Sequence, residues 1–437
     1  MKSPAVRRAL LILLIAGALT RLPGLSSPPV VVFDEVHWGK AVNAYCCTGE
    51  RIFDVHPPHG KLLLTLGAVL TGYRGGVSFE SIGLPYQAHS AWGFRLLPAL
   101  VGIAIPLIFF AFLLSLGGSV PAAFLGGALL VLDNAMLLET HVMVFDGILV
   151  AAILGSLTCV LQAEVASSST SARHWRLAAG ALAGLAVGTK FTGLVAPGLI
   201  AIWLLYRWRT GGSAGARILP NGLEIAGAGA LIYLAGWLLH FSLLTNPGLA
   251  DAFHPTTGRL VEDLQVTHRV MFEANANMRA PHPDASVPLS WPWMKVAPFF
   301  WTGPASSIHL VGNPVVWWGS TVLLVTLLVN MALMRVTRLR LEPSPGVRVL
   351  LWFPLVGFAV AFVPFFGVER VLFLYHYLTP LVFAVAAVLL WLDRAGWIRS
   401  AHLGDQRRSY YVVLALAVLG FLAVSPLTYG FSVGRYD

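Results

Sequence analysis

The residues that could do chemistry gather between positions 33 and 61, as Phe33-Asp34-Glu35-Val36-His37-Trp38 and Phe53-Asp54-Val55-His56-Pro57-Pro58-His59-Gly60-Lys61. Adjacent carboxylates on a helix diverge by about 100°, so Asp34 and Glu35 cannot face one another as an acid/base pair of the glycosidase type. One base with a neighbour that binds or orients fits better. A single base suffices when a hydroxyl attacks a sugar carried on a lipid phosphate. The hydroxyl must lose a proton, whereas the departing phosphate is already an anion and needs positive charge nearby. Single displacement would invert the anomeric centre. Two plainer readings stand beside this one. The acids could open a helix after a membrane span, and His56-Pro57-Pro58 could be a rigid turn. His37, His56 and His59 with Asp34 match no standard zinc spacing, so no metal is expected.

Cations suited to a phosphate lie elsewhere in the chain. Lys190, in Gly188-Thr189-Lys190-Phe191-Thr192-Gly193, is flanked by apolar residues and needs water or an anion if it does not snorkel. Arg95 opens a span in Trp92-Gly93-Phe94-Arg95-Leu96-Leu97-Pro98, where interfacial anchoring is the alternative. Asp133 and Asp146 flank an outer turn holding Glu139 and His141. A carboxylate at Asp146, within an apolar run, calls for a partner.

The elements that must position these groups are membrane spans. The 437 residues have mean hydropathy +0.74 with 57% hydrophobic and only 11% charged residues, too little charge to cover a water-soluble globule of that size. Apolar runs near 9–20, 92–115, 119–137, 142–163, 176–189, 191–207, 222–245, 311–335, 347–367, 371–392 and 409–431 predict about eleven transmembrane helices, the pair around Lys190 being short for a bilayer. The run at 9–20 carries no A-x-A cleavage site and reads as an uncleaved first span. A net charge of +9 could suggest a nucleic-acid partner, but no basic patch is interleaved with aromatics. Instead sixteen of the 29 basic residues, among them Arg7, Arg8, Arg176, Arg207, Arg217, Arg338, Arg340, Arg348 and Arg399, crowd into the N-terminal segment and four short connections. That asymmetry places the N-terminus in the cytoplasm and the long loops 21–91 and 246–310 outside, with the C-terminus. Residues 61–73 and 256–279 predict helices lying in the outer interface. Ser167–Ser171 reads as a flexible connection. Cys46, Cys47 and Cys159 make no disulfide framework or metal spacing.

The chain also resembles a known family, the protein O-mannosyltransferases, which are GT-C type membrane glycosyltransferases. Phe33–Lys40 with Phe53–Lys61 looks like that family's first external loop, FDEVHFGK…DVHPPLAK. Phe94-Arg95-Leu96-Leu97-Pro98, Leu132-Asp133-Asn134 with Phe145-Asp146-Gly147-Ile148-Leu149, and Gly184–Lys190 are similar to its next motifs in order. So are His282–Ser286 with Ser290-Trp291-Pro292, Gly312–Trp318 and Tyr375–Pro380. The resemblance implies an all-α polytopic GT-C architecture forming one integral-membrane domain over 1–437, with the external loops 21–91 and 246–310 and C-terminal spans in 311–437. It implies a polyprenyl-phosphate-mannose donor, no further cofactor, and a Ser or Thr acceptor on an exported protein, near the secretion translocon. Asp34 would be the base, Glu35 and His56 would bind the acceptor, and Arg95 and Lys190 the donor phosphate, with Asp54, Asp146 and His141 in support. His141 stands near the place where the family carries an arginine. The loop after 245 lacks the large insert of eukaryotic members, which points to a bacterial plasma membrane and an undecaprenyl- or decaprenyl-like carrier.

Two other activities compete with this one. A GT-C enzyme could move mannose or another sugar onto a glycolipid or cell-wall glycan, since acceptor choice resides in the outer loops. A transporter would carry polar groups near the midplane on broken helices in two related halves. Here the polar groups crowd one face and no halves repeat.

Overall fold

The computed structural model describes residues 3–87, 89–210, 218–253, 256–279, 281–337, 350–399 and 404–431. Arg217, Arg338, Arg340 and Arg348, used above to orient the chain, lie outside the described residues. In chain order the helices are α1 (Pro4–Arg21), α2 (Glu35–Asn43), α3 (His59–Leu70), α4 (Ala91–Ser115), α5 (Val120–Val131), α6 (Asn134–Leu138), α7 (Asp146–Glu164), α8 (Ser169–Thr189), α9 (Val195–Thr210), α10 (Ile218–Leu243), α11 (Leu260–Asn277), α12 (Pro314–Thr337), α13 (Trp352–Phe362), α14 (Leu378–Arg394) and α15 (Gly404–Tyr429). One two-stranded antiparallel hairpin, β1 (Phe299–Thr302) with β2 (Ser307–His309), sits in the second long loop.

Each of the eleven apolar runs becomes helix, and seven of the described helical segments are long and apolar enough to cross a membrane. The runs were blurred at their polar ends. The span expected at 119–137 breaks at Leu132-Asp133 into α5 and α6, and the span expected from 142 starts only at Asp146. Asp146 therefore opens α7 rather than lying within it. Ser167–Ser171 is not a loose connection, because the Ser168 hydroxyl caps α8 by accepting the Ser171 N–H at 3.1 Å. That start gives α8 21 residues and removes the shortness seen on one side of Lys190. Cys46 and Cys47 lie together as a vicinal disulfide. Neighbours in sequence close no loop and make no framework.

Helices α7 and α14 form the buried centre of the bundle, while α10 and α15 turn exposed leucines such as Leu231, Leu238, Leu419 and Leu422 outward, as lipid-facing helices do. A Cβ on Gly180 or Gly184 of α8 would lie 2.1 or 2.2 Å from a backbone oxygen of α10, so the two backbones touch because those positions have no side chain.

A buried polar staple ties the helix ends together. Asp133 accepts the Trp317 indole N–H at 2.8 Å and the Asn313 and Met136 N–H groups at 3.1 and 2.8 Å. Asn313 donates in turn to the Leu132 and Ala417 carbonyls, and Arg21 donates to those of Leu130 and Val131 at 2.9 Å. These contacts join α1, α5, α12 and α15 next to the loops that carry the acidic motif. Two helices outside the spans, α3 and α11, occupy the positions where interfacial helices were expected.

Candidate active site

The first long loop bends sharply at its acidic motif. Phe33 takes φ +43°, its N–H donates to the Phe300 carbonyl of β1 at 2.9 Å, and its ring stacks on Phe300 at 3.9 Å. The left-handed turn is held from both sides by these contacts. It delivers Asp34 and Glu35 into opposite environments. Asp34 is half-buried, and its carboxylate accepts no hydrogen bond among the described residues. Burial pushes it up to about 6, His37 and Lys190 pull it down, and Asp146 and Asp54 raise it further.

Glu35 is fully buried and saturated. Its carboxylate accepts from Arg95 Nε and Nη2 at 2.8 and 2.9 Å, from the Met143 and Val32 N–H groups at 2.9 Å, and from the Tyr86 hydroxyl at 2.7 Å. The remaining Arg95 donors go to the carbonyls of Leu25, Ser27, Pro28 and Val30. Two expectations change here. Arg95, completely enclosed with every nitrogen engaged, has no donor left for a phosphate, and Glu35 has no free oxygen for an acceptor. The pair fastens the 25–35 segment to α4 and to the turn before α7.

Lys190 sits where helix stops. Its backbone is extended between α8 and a 3₁₀ turn at Phe191–Leu194, which releases the side chain toward α7. The ammonium donates to both Asp146 oxygens at 2.7 and 2.8 Å and lies 5.2 and 5.1 Å from the ring centres of Phe145 and Tyr375. The partner that Asp146 required is thus Lys190. Glu139, in the turn between α6 and α7, is also buried there, with Oε1 unpartnered among the described residues. Burial holds its carboxyl well above the usual range, the Asp146 charge adds to this, Lys190 opposes it and Asp34 adds a little more. His141 stands apart from this cluster. Its Nδ1 is 3.1 Å from the Arg21 carbonyl and its ring meets Tyr429 edge-on at 5.4 Å, so its support goes to the helix ends and not to the site.

Asp54 pairs with Lys61 at 2.5 Å, and Lys61 also donates to the His56 carbonyl, which fixes the Pro57-Pro58 turn. Although burial opposes it, the Lys61 charge and the hydrogen bonds from Lys61 and the His56 backbone hold Asp54 below the ordinary carboxylate range. The His56 ring lies against Trp38 and Phe145, and burial pushes it down to about 3 against the pull of Asp54, so it is neutral. A cleft of about 620 Å³ runs from His56 and Lys190 past Phe191, Phe272 and Asn275 to Arg370 and His376. Among the described residues no cluster of three His, Cys, Asp or Glu side chains is arranged to hold a metal ion.

This arrangement offers one carboxylate, Asp34, that accepts no hydrogen bond among the described residues and feels the charge of Lys190, a lysine that lines an open cleft on a helical membrane scaffold. The family model for dolichyl-phosphate-mannose-protein mannosyltransferases matches residues 11–239, and the one for the C-terminal four-span region of protein O-mannosyltransferases matches 260–435. The chain belongs to the protein O-mannosyltransferase family. Within it, protein O-mannosyl-transferase 2 of Danio rerio is 31% identical over 255 residues, 56% of this chain and 34% of that protein. Dolichyl-phosphate-mannose–protein mannosyltransferase 4 of Candida albicans is 31% identical over 263 residues, again 56% and 34%. The aligned stretch covers about a third of the length of these relatives.

The fold agrees with that membership. The S. cerevisiae protein O-mannosyltransferase Pmt1–Pmt2 complex bound to its sugar donor superposes with a TM-score of 0.87 at 18% identity, covering 98% of this chain and 91% of that one. ArnT from Cupriavidus metallidurans bound to undecaprenyl phosphate gives 0.59 at 17% identity, covering 100% and 79%. In this mannosyltransferase-family chain, sequence reasoning missed Tyr86, which no motif marks, and Arg370. The latter had a signal, since Glu369-Arg370 is a charged pair between two apolar runs.

Proposed function

We propose that this chain transfers mannose from a polyprenyl-phosphate donor to Ser or Thr hydroxyls of exported proteins, at the external face of a bacterial plasma membrane and close to where the chain emerges from translocation. The observation that carries this reading is the Asp34 carboxylate, which accepts no hydrogen bond among the described residues and lies within the electrostatic reach of Lys190, a lining residue of the cleft. Asp34 takes the acceptor hydroxyl proton as that oxygen bonds to the anomeric carbon, and the bond from that carbon to the phosphate oxygen breaks with its electron pair leaving on phosphate. The product is inverted, and Asp34 then returns its proton to water. Lys190 supplies positive charge to the leaving phosphate, while Asp146 orients it. Neutral His56, which lines the cleft with Lys190, hydrogen-bonds the acceptor. Glu35 and Arg95 hold Asp34 in place from beneath, and Asp54 with Lys61 holds His56.

The test uses purified protein, radiolabelled polyprenyl-phosphate mannose, and either a Ser/Thr-rich peptide or an extracted lipid pool, with Asp34→Asn beside wild type. Label on the peptide with wild type alone supports the reading. Label on lipid alone would replace it with glycolipid transfer, and undiminished turnover in Asp34→Asn would remove Asp34 from the mechanism.

A further inference from the structure

We propose that Arg370 is the second cation of the donor-phosphate site, a role for which Arg95 is not available. The inference rests on the reading of a lipid-phosphate sugar donor given above. A phosphodiester donor carries one negative charge, and the leaving phosphate monoester carries close to two, so positive charge must be in place where the second charge appears. Lys190 alone cannot supply it, because both Asp146 oxygens already hold its ammonium.

Arg370 lines the same cleft as Lys190, at the end of the segment that leads into Tyr375 and His376. No carboxylate pairs with it among the described residues. Its sequence neighbour Glu369 is engaged at the exposed rim by Arg279. One arm of the guanidinium is held by the Asn275 side-chain oxygen, and Nε makes only a long contact of 3.4 Å to the Val371 carbonyl. Asn275 is itself anchored, donating to the Val55 and Met271 carbonyls at 3.0 and 2.9 Å. The fork is therefore braced from α11 and from the His56 segment while its other nitrogen has no partner among the described residues, the state of a guanidinium prepared for an anion. Phe191 and Phe272, stacked at 4.8 Å beside it, give the cleft an apolar flank suited to the first isoprene units. An acidic side chain on the acceptor is the other anion that could reach Arg370, and the two sources separate experimentally.

The experiment measures undecaprenyl phosphate binding to the detergent-purified full chain by native mass spectrometry, for wild type, R370Q, R370K and R259Q, a control at an exposed arginine paired with Glu262 away from the cleft. R370Q is expected to weaken binding about tenfold or more and to raise the donor KM by a similar factor with the peptide KM unchanged. R370K keeps the charge without the fork, should fold, and should lose a smaller factor. R259Q should bind as wild type. Binding by R370Q or R370K equal to wild type overturns the proposal, as does a rise in peptide KM alone, which would give Arg370 to the acceptor. Arg370-dependent undecaprenyl phosphate binding by a protein that transfers no mannose would sink the proposed function and leave this site standing.

Discussion

Arg95 grips Glu35 through two parallel hydrogen bonds of 2.8 and 2.9 Å in complete burial, one residue from the free carboxylate of Asp34. Breaking a buried pair by removing one partner costs about 3–5 kcal/mol, because the other charge is stranded. Arg95→Gln and Glu35→Gln should therefore lower the thermal midpoint in detergent strongly, and the folded fraction of either should keep the wild-type donor KM. A stable Arg95→Gln protein with a raised donor KM would return this residue to the phosphate.

The Lys190–Asp146 pair separates stability from chemistry. Lys190→Met leaves the Asp146 carboxylate unpaired and should destabilise by about 3–5 kcal/mol. The double variant Lys190→Met with Asp146→Asn removes both charges and should recover most of that loss, yet remain inactive. Full activity in the double variant would mean that the lysine serves only its aspartate.

Asp34 sets the expected pH dependence. The base must be ionised, and its carboxyl is pushed up to about 6, so kcat/KM should rise through pH 6 and level off above it. His56, pushed down to about 3, adds no second limb. The stability sign follows separately. A carboxyl with a raised pKa binds its proton more tightly when folded, so its ionisation opposes folding as pH rises from about 4 to above 6. Asp34→Asn should therefore melt higher than wild type at pH 8 and alike at pH 4. A profile that stays flat from pH 5 to 8 would argue against Asp34 as the base.

Asp133 and Trp317 belong to two of the most recognisable motifs in the chain, but their 2.8 Å hydrogen bond lies in the helix-end staple. Trp317→Phe should cost about 1–3 kcal/mol for the donor removed and leave kcat per folded molecule near wild type. A large drop in kcat without a change in melting would place the motif in the chemistry.

How far the sequence could be read depended on which physical property each feature expresses. The spans were legible because burial in lipid demands long apolar runs, and Asp146 could be marked as needing a partner because an acid there is costly alone. Helix ends were less legible. Ser168 extends α8 backward through a hydroxyl cap, and Asp133 cuts a continuous apolar run, both by local hydrogen bonds that average hydropathy does not register.

By itself the sequence determined the membrane class, the family and the loops in which the chemistry must lie, since composition and ordered motifs carry that information along the chain. It also determined that Asp34 and Glu35 could not act as a facing pair. Which acid stays free was decided only by tertiary structure. Glu35 meets Arg95, 60 positions away, and Lys190 meets Asp146, 44 positions away. A charge is free or committed according to what packs against it, and no spacing along the chain states that.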